Sequence, residues 1–312
     1  MSPSLLLKFL YGLLLASGEV VLIAAQSHGG GDEEVLVELK RFLVANNRFN
    51  RGGYDGWQES DPSPCGWWGI GCDGNGRVES LNLTGSAISG PAFGSFSRLS
   101  ALTSLDLSCN SITGPLPDGD LNQCHGLLHL NFSHNLITES LNVTGLTRLQ
   151  VLDVLGNRLQ GSVAVNFPAI CADLTLLDLS TNNLTDNITK LLDSCQAGIP
   201  TKLTNCRRLR FLDISTNKFG GDMQEIFGNF TILKYLVLHD NNYTGGIVAS
   251  GVLRLPLLAR LDLSFNEFTG EPPSRGVRYE EPQVPNARRE QLLRQDTSGV
   301  RPANQAPSAG PV

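Results

Sequence analysis

The chain of 312 residues has no predominantly apolar run of 18 residues free of charge, so it offers no candidate transmembrane helix. It also lacks excess positive charge: the net charge is -6 and the sequence pI is near 5.4, which disfavours charge-driven nucleic-acid binding. P-loop, dinucleotide fingerprint, kinase signature and nucleophile elbow are all missing, and no cluster of His, Asp and Cys recurs at ligand spacing. Nothing therefore supports an enzyme, a metal site or a cofactor. Seven cysteines fit an oxidising compartment, and the odd number leaves at least one outside any internal pairing.

What the chain has is repetition. LNLTGSAISG from Leu81, LDLSCNSITG from Leu105, LNFSHNLITE from Leu130 and LDVLGNRLQG from Leu152 share one frame. It continues in LDLSTNNLTD from Leu177, LDISTNKFGG from Leu212, LVLHDNNYTG from Leu236 and LDLSFNEFTG from Leu261. The frame is L-x-L-x-x-N-x-L-x-G. Its asparagines are Asn110, Asn135, Asn157, Asn182, Asn217, Asn241 and Asn266, at steps of 25, 22, 25, 35, 24 and 25, with Ser86 in the first copy. Periods in the twenties with this wording predict an α/β solenoid: a right-handed leucine-rich-repeat horseshoe or superhelix with short parallel strands on its concave face. Each L-x-L is expected to turn both leucines inward and its alternate residues to solvent. The carboxamide after the strand has the donors and acceptors to satisfy backbone groups in the turn. Glycine closes most copies, where a tight bend leaves no room for a Cβ.

Along the chain, residues 1–25 have the pattern of a secretory leader: Lys8, an apolar stretch from Phe9 to Ala16, and small residues at Ala24 and Ala25. In DEEVLVELKRFLVAN, Val35, Leu36, Leu39, Phe42 and Leu43 fall on one stripe, which predicts an amphipathic helix over Asp32–Asn46. Trp57, Trp67 and Trp68 then surround PCGWWGIGC. A helix, bulky aromatics and a Cys65–Cys72 bridge would together cover the raw first end of a solenoid. A metal or redox role for the pair would need a histidine or further cysteine, and neither lies near. Residues 26–77 thus form an N-terminal helical, disulfide-containing cap, and residues 78–270 about eight repeats. The long step carries about eleven extra residues near 186–206, either a braced loop or a duplicated half repeat. Residues 271–312, rich in Pro and Arg, read as a disordered tail. The partners of Cys109, Cys124, Cys171, Cys195 and Cys206 stay open.

Seven N-x-S/T sequons stand at Asn82, Asn131, Asn142, Asn183, Asn187, Asn229 and Asn242. The repeat wording creates some of them, and a leader gives them meaning. Recognition residues are expected on the solvent side of the strands, where most copies repeat Asp then Ser. The departures are Leu155, Val237 and His239, which become the ligand-contact candidates.

A helix followed by C-x-W-x-G-I-x-C (Cys65, Trp67, Gly69, Cys72) and repeats ending in Gly90–Pro91 and Gly114–Pro115 resembles the ectodomain of plant leucine-rich-repeat receptor-like kinases. The resemblance spans roughly Asp32 to Gly270. It implies recognition of a peptide, protein or microbial or parasite-derived ligand in defence or development, with a co-receptor kinase ectodomain as a further partner. It implies no catalysis here, because the kinase and membrane span of that family are absent from this sequence. The implied location is the secretory pathway and the apoplast, or the outer face of the plasma membrane within a longer receptor. A short secreted inhibitor of a microbial hydrolase, or a non-signalling fragment, is the alternative.

Overall fold

The computed structural model describes residues 31–47, 52–163, 173–187, 208–223, 227 and 230–270. The expected leader, Cys171, Cys195, Cys206, Asn229, most of the insertion and the tail lie outside the described residues. So does the Asn187 side chain.

Helix α1 (Asp32–Asn46) forms over the expected span. Val35, Leu36, Leu39 and Leu43 are buried, because the 3.6-residue period puts them on one face. Among the described residues the main sheet has nine strands. An antiparallel edge strand, β1 (Ile70–Cys72), pairs with β2 (Val78–Asn82). From there every neighbour is parallel: β4 (Ser104–Asp106), β6 (His129–Asn131), β8 (Val151–Asp153), β10 (Leu176–Asp178), β12 (Phe211–Asp213), β14 (Tyr235–Val237) and β16 (Arg260–Asp262). The parallel strands from β2 to β16 are the eight copies of the frame. Where the sequence steps by 35 residues, β10 and β12 still pair directly, with Leu176 opposite Phe211. Added length there leaves the sheet unbroken.

Short strands after the frame asparagines build two smaller parallel sheets. One joins β3 (Ser89–Pro91), β5 (Ser111–Gly114) and β7 (Leu136–Ile137). The other joins β9 (Gln160–Gly161), β11 (Asn183–Asn187), β13 (Lys218–Asp222) and β15 (Asn242–Thr244). A single turn, α2 (Asp118–Leu121), lies on the convex side. The inward leucines are buried, with Leu81, Leu105, Leu130, Leu152, Leu212 and Leu236 fully so, and they stack into one continuous core.

The frame asparagines bind across repeats as well as within them. Asn135 Oδ1 accepts from Ile112 N of the preceding copy at 2.9 Å. Its Nδ2 faces Leu107 O at 3.0 Å, Phe132 O at 3.1 Å and Ser133 O at 3.3 Å. The pattern recurs from Asn110 to Asn266. Each carboxamide thus satisfies backbone groups of two turns that the stacked leucines would otherwise leave unpaired. Ser86 is too short to do this. Its Oγ is buried without a partner.

The N-terminal cap forms with the Cys65–Cys72 bridge in place, Cα atoms 5.6 Å apart. Trp57 and Trp67 are buried and stacked, with centroids 5.5 Å apart. Trp68 is a correction to the expected three-tryptophan lid: half of it stays exposed. Its backbone contributes instead, as Trp68 O accepts from Trp57 Nε1 at 2.9 Å. Gly69, at φ +78°, leaves no room for a Cβ, which would lie 2.2 Å from Asn82 O. The end of α1 joins the array through Asn47, whose Oδ1 accepts from Ser89 N and Ser89 Oγ, both at 2.6 Å.

Candidate recognition surface

Parallel in-register pairing turns each frame position into a column running across the main sheet. Three columns face the concave side.

The column after the first leucine reads Asn82, Asp106, Asn131, Asp153, Asp178, Asp213, Val237 and Asp262. It was expected to be solvent-facing. Instead Asp153, Asp178, Val237 and Asp262 are buried. The reason is local hydrogen bonding. Asp178 Oδ1 accepts from Ser180 N at 3.0 Å and Ser180 Oγ at 2.5 Å. Asp213 does the same for Ser215, and Asp262 for Ser264. The repeated Asp-x-Ser is therefore a turn-forming device, in which the carboxylate caps the end of its own strand.

Two of the three contact candidates change character accordingly. Val237 is only 5% exposed, because its neighbours on β12 and β16 enclose it, so it is not a free contact. Leu155 is half-buried rather than exposed, and its N–H donates to Asp153 Oδ1 at 3.2 Å. His239 is also half-buried. It shares a column with Leu155, but β10 and β12 separate their repeats, so the structure does not bring the two together.

The column before the first leucine was not anticipated. It reads Ser80, Ser104, His129, Val151, Leu176, Phe211, Tyr235 and Arg260. It begins polar and becomes apolar and aromatic towards the later repeats. The Phe211 and Tyr235 rings lie 5.8 Å apart and are both half-buried. Burial lowers the pKa of His129 below its ordinary value. Arg260 ends the column with its Nε enclosed and without an acceptor.

The sequons fall on different faces. Asn82 and Asn131 stand on strands β2 and β6 of the concave sheet. Asn131 Nδ2 donates to Asp106 Oδ2 at 3.1 Å, and its Oδ1 accepts from Ser133 Oγ at 2.8 Å. Asn183 and Asn242 are exposed on the smaller sheet. Asn142, half-buried, bonds to Asp118 Oδ2 at 3.1 Å. Among the described residues no group of His, Cys, Asp and Glu is placed to hold a metal, and no helix is long and apolar enough to cross a membrane.

Residues 30–73 match the leucine-rich-repeat N-terminal domain, and residues 76–137 match the leucine-rich repeat itself. The chain is a leucine-rich-repeat protein. It is 34% identical over 269 residues, 86% of its length, to a probable leucine-rich-repeat receptor-like serine/threonine-protein kinase of Arabidopsis thaliana. It is 33% identical over 78% of its length to the receptor-like protein kinase BRI1-like 3 of the same plant. These matches cover 23% and 25% of those kinases, so the leucine-rich-repeat chain spans about a quarter of their length. Among solved structures, the receptor PEPR1 in complex with AtPEP1 aligns with a TM-score of 0.61 at 29% identity, over 76% of this chain and 32% of that one. A plant ice-binding protein aligns with a TM-score of 0.54 at 23% identity, over 80% of this chain and 91% of that one. The second likeness is one of fold. What the repeats resemble is the non-catalytic, ligand-binding region of plant receptor kinases.

Proposed function

We propose that this leucine-rich-repeat chain is an extracellular recognition module of receptor-kinase type, which binds a peptide or protein ligand and itself catalyses nothing. On this reading residues 1–25 are a secretory leader, 26–77 the cap, 78–270 the array and 271–312 a tail. The chain acts in the apoplast, or on the outer face of the plasma membrane within a longer receptor, and a co-receptor kinase ectodomain is its second partner. Defence or developmental signalling is the setting that the resemblance to receptor kinases favours.

The observation that carries the proposal is the change in character of the concave sheet, from Ser80 and Ser104 to the adjoining rings of Phe211 and Tyr235. A sheet built only as scaffold has no need of half-buried aromatics on its solvent side, whereas aromatic residues dominate the energetics of binding surfaces. The test is selection of a random-peptide library on the secreted chain. Enriched peptides should lose binding to the double variant Phe211→Ser/Tyr235→Ser and keep it with Thr147→Ala, a change at an exposed convex residue. Failure to enrich any peptide on the folded chain, or full retention by the double variant, would overturn the reading.

A further inference from the structure

Resting on that reading, we infer that Arg260, Tyr235 and Phe211 form a subsite for an acidic side chain of a peptide ligand, flanked by apolar residues of the same ligand. In register across β12, β14 and β16, Tyr235 stands between Phe211 and Arg260. Arg260 is half-buried, its Nε is fully enclosed without an acceptor, and its side chain makes no hydrogen bond or ion pair among the described residues. An Nε–H withdrawn from water without an acceptor is costly, and an anion beside the half-buried side chain would offset that cost. A carboxylate fits its planar fork of donors.

The charges nearby support an anionic partner. The residue opposite Asp262 on the adjacent strand is Val237, which interrupts the acidic column beside Arg260. Asp262, on the same strand, already accepts from Ser264 N at 3.1 Å and Ser264 Oγ at 2.7 Å, and is 9% exposed. The rings of Tyr235 and Phe211 continue the subsite with apolar surface, so the ligand group next to the acid is aliphatic or aromatic. At the other end of the sheet, Asn82 and Asn131 occupy concave positions on β2 and β6. Glycans there would cover the polar half and leave this half open.

The experiment sequences the peptides that the library selection enriches on the secreted chain, then measures their affinity for Arg260 variants. Enriched peptides should carry Asp or Glu beside Leu, Ile or Phe. Arg260→Gln should weaken them about tenfold or more, and Arg260→Lys, which keeps the charge without the fork, should weaken them less. The melting temperature of Arg260→Gln should equal or exceed that of the parent, because an enclosed and unsatisfied donor is removed. A mainly structural arginine would instead lower it. Enrichment of peptides without an acid, or affinities that Arg260→Gln leaves unchanged, would overturn this subsite while leaving peptide recognition standing. An empty selection would overturn the wider reading as well.

Discussion

Asp32, at the first turn of α1, grips Arg77, at the start of β2, with both carboxylate oxygens. Oδ1 accepts from Nη2 at 2.8 Å and Oδ2 from Nε at 2.9 Å. Oδ2 also accepts from Val78 N at 2.9 Å, and the Asp32 side chain is only 1% exposed. The bidentate pair holds the Arg77 pKa above its ordinary value, chiefly through its hydrogen bonds to Asp32. It fastens the capping helix to the first parallel strand across 45 residues of sequence. Arg77→Ala leaves a buried carboxylate with one remaining donor, so the loss should be about 3–5 kcal/mol. Urea unfolding of the secreted chain measures it. A loss below about 1 kcal/mol would make the pair a surface ornament.

The frame asparagines should be as costly to truncate as the buried leucines beside them. Asn135 is buried, with one acceptor and one amide nitrogen serving backbone groups of two turns. Asn135→Ala strands several of these at once. At about 1–3 kcal/mol for each unsatisfied group, the total is expected to exceed about 3 kcal/mol. Asn135→Asp retains the acceptor but points a carboxylate at three carbonyl oxygens. That variant should gain stability as the pH falls and the carboxyl protonates, opposite to the usual acid response. Chemical denaturation at pH 7 and pH 4.5 separates the two cases.

The repeat fold, its parallel strands and the inward leucines were legible in the sequence, because a frame that recurs with Asn and Gly at fixed offsets leaves little else to build. Helix α1 and the Cys65–Cys72 bridge were legible for the same reason: local periodicity and a short loop. The recognition surface was not. The repeated frame begins at its first leucine, so the residue before it, from Ser80 to Arg260, falls outside every copy. The Asp-x-Ser wording predicts exposure, since residues alternating with inward leucines normally face solvent. A carboxylate bonded to its own turn breaks that rule. Val237 failed as a contact for a related reason: its exposure depended on two neighbouring strands that only the register reveals.

Strain is stored at a second unanticipated column, the residue before each frame asparagine. Gly85, Cys109, His134, Gly156, Thr181, Thr216, Asp240 and Phe265 all have left-handed backbones, with φ from 49° to 66°. Glu139 does as well, at φ 66°, in the place that glycine holds in most copies. Any side chain with a Cβ is costly there, by roughly 1–2 kcal/mol. Glycine removes that strain but adds freedom to the unfolded chain. Thr216→Gly and Glu139→Gly should therefore each stabilise by about 0.5–1 kcal/mol, against the usual effect of introducing glycine. Thermal unfolding checks the sign, and a fall in melting temperature for both variants would refute the strain account.

The two free cysteines among the described residues should differ sharply in reactivity. Cys109 is exposed, whereas burial pushes the Cys124 thiol up to about 12, with Asp120 adding to the shift. Thiolate is the reactive form, so alkylation of the folded chain at pH 8 should label Cys109 and spare Cys124. Unfolding in urea should expose both to the reagent. Peptide mapping by mass spectrometry reads the result. Modification of Cys124 at a rate matching Cys109 would contradict its burial next to Asp120.

His129 gives the concave sheet an acid-sensitive element. Burial is the cause of its lowered pKa, so the unfolded chain takes up this proton before the folded one does. The sign follows directly. The contribution is fully present above the unfolded value near 6.5 and is lost as the pH falls through that value towards the lower folded one. A single proton limits the slope to about 1.4 kcal/mol per pH unit. Other groups titrate in the same range, so the useful quantity is the difference between the parent and His129→Asn. Unfolding free energies should converge between the two proteins as the pH is taken from 7.5 to 5, with the variant losing less. Equal slopes would mean that the imidazole reaches water at β6, and that the column beginning at Ser80 is open at His129 rather than closed by its neighbours.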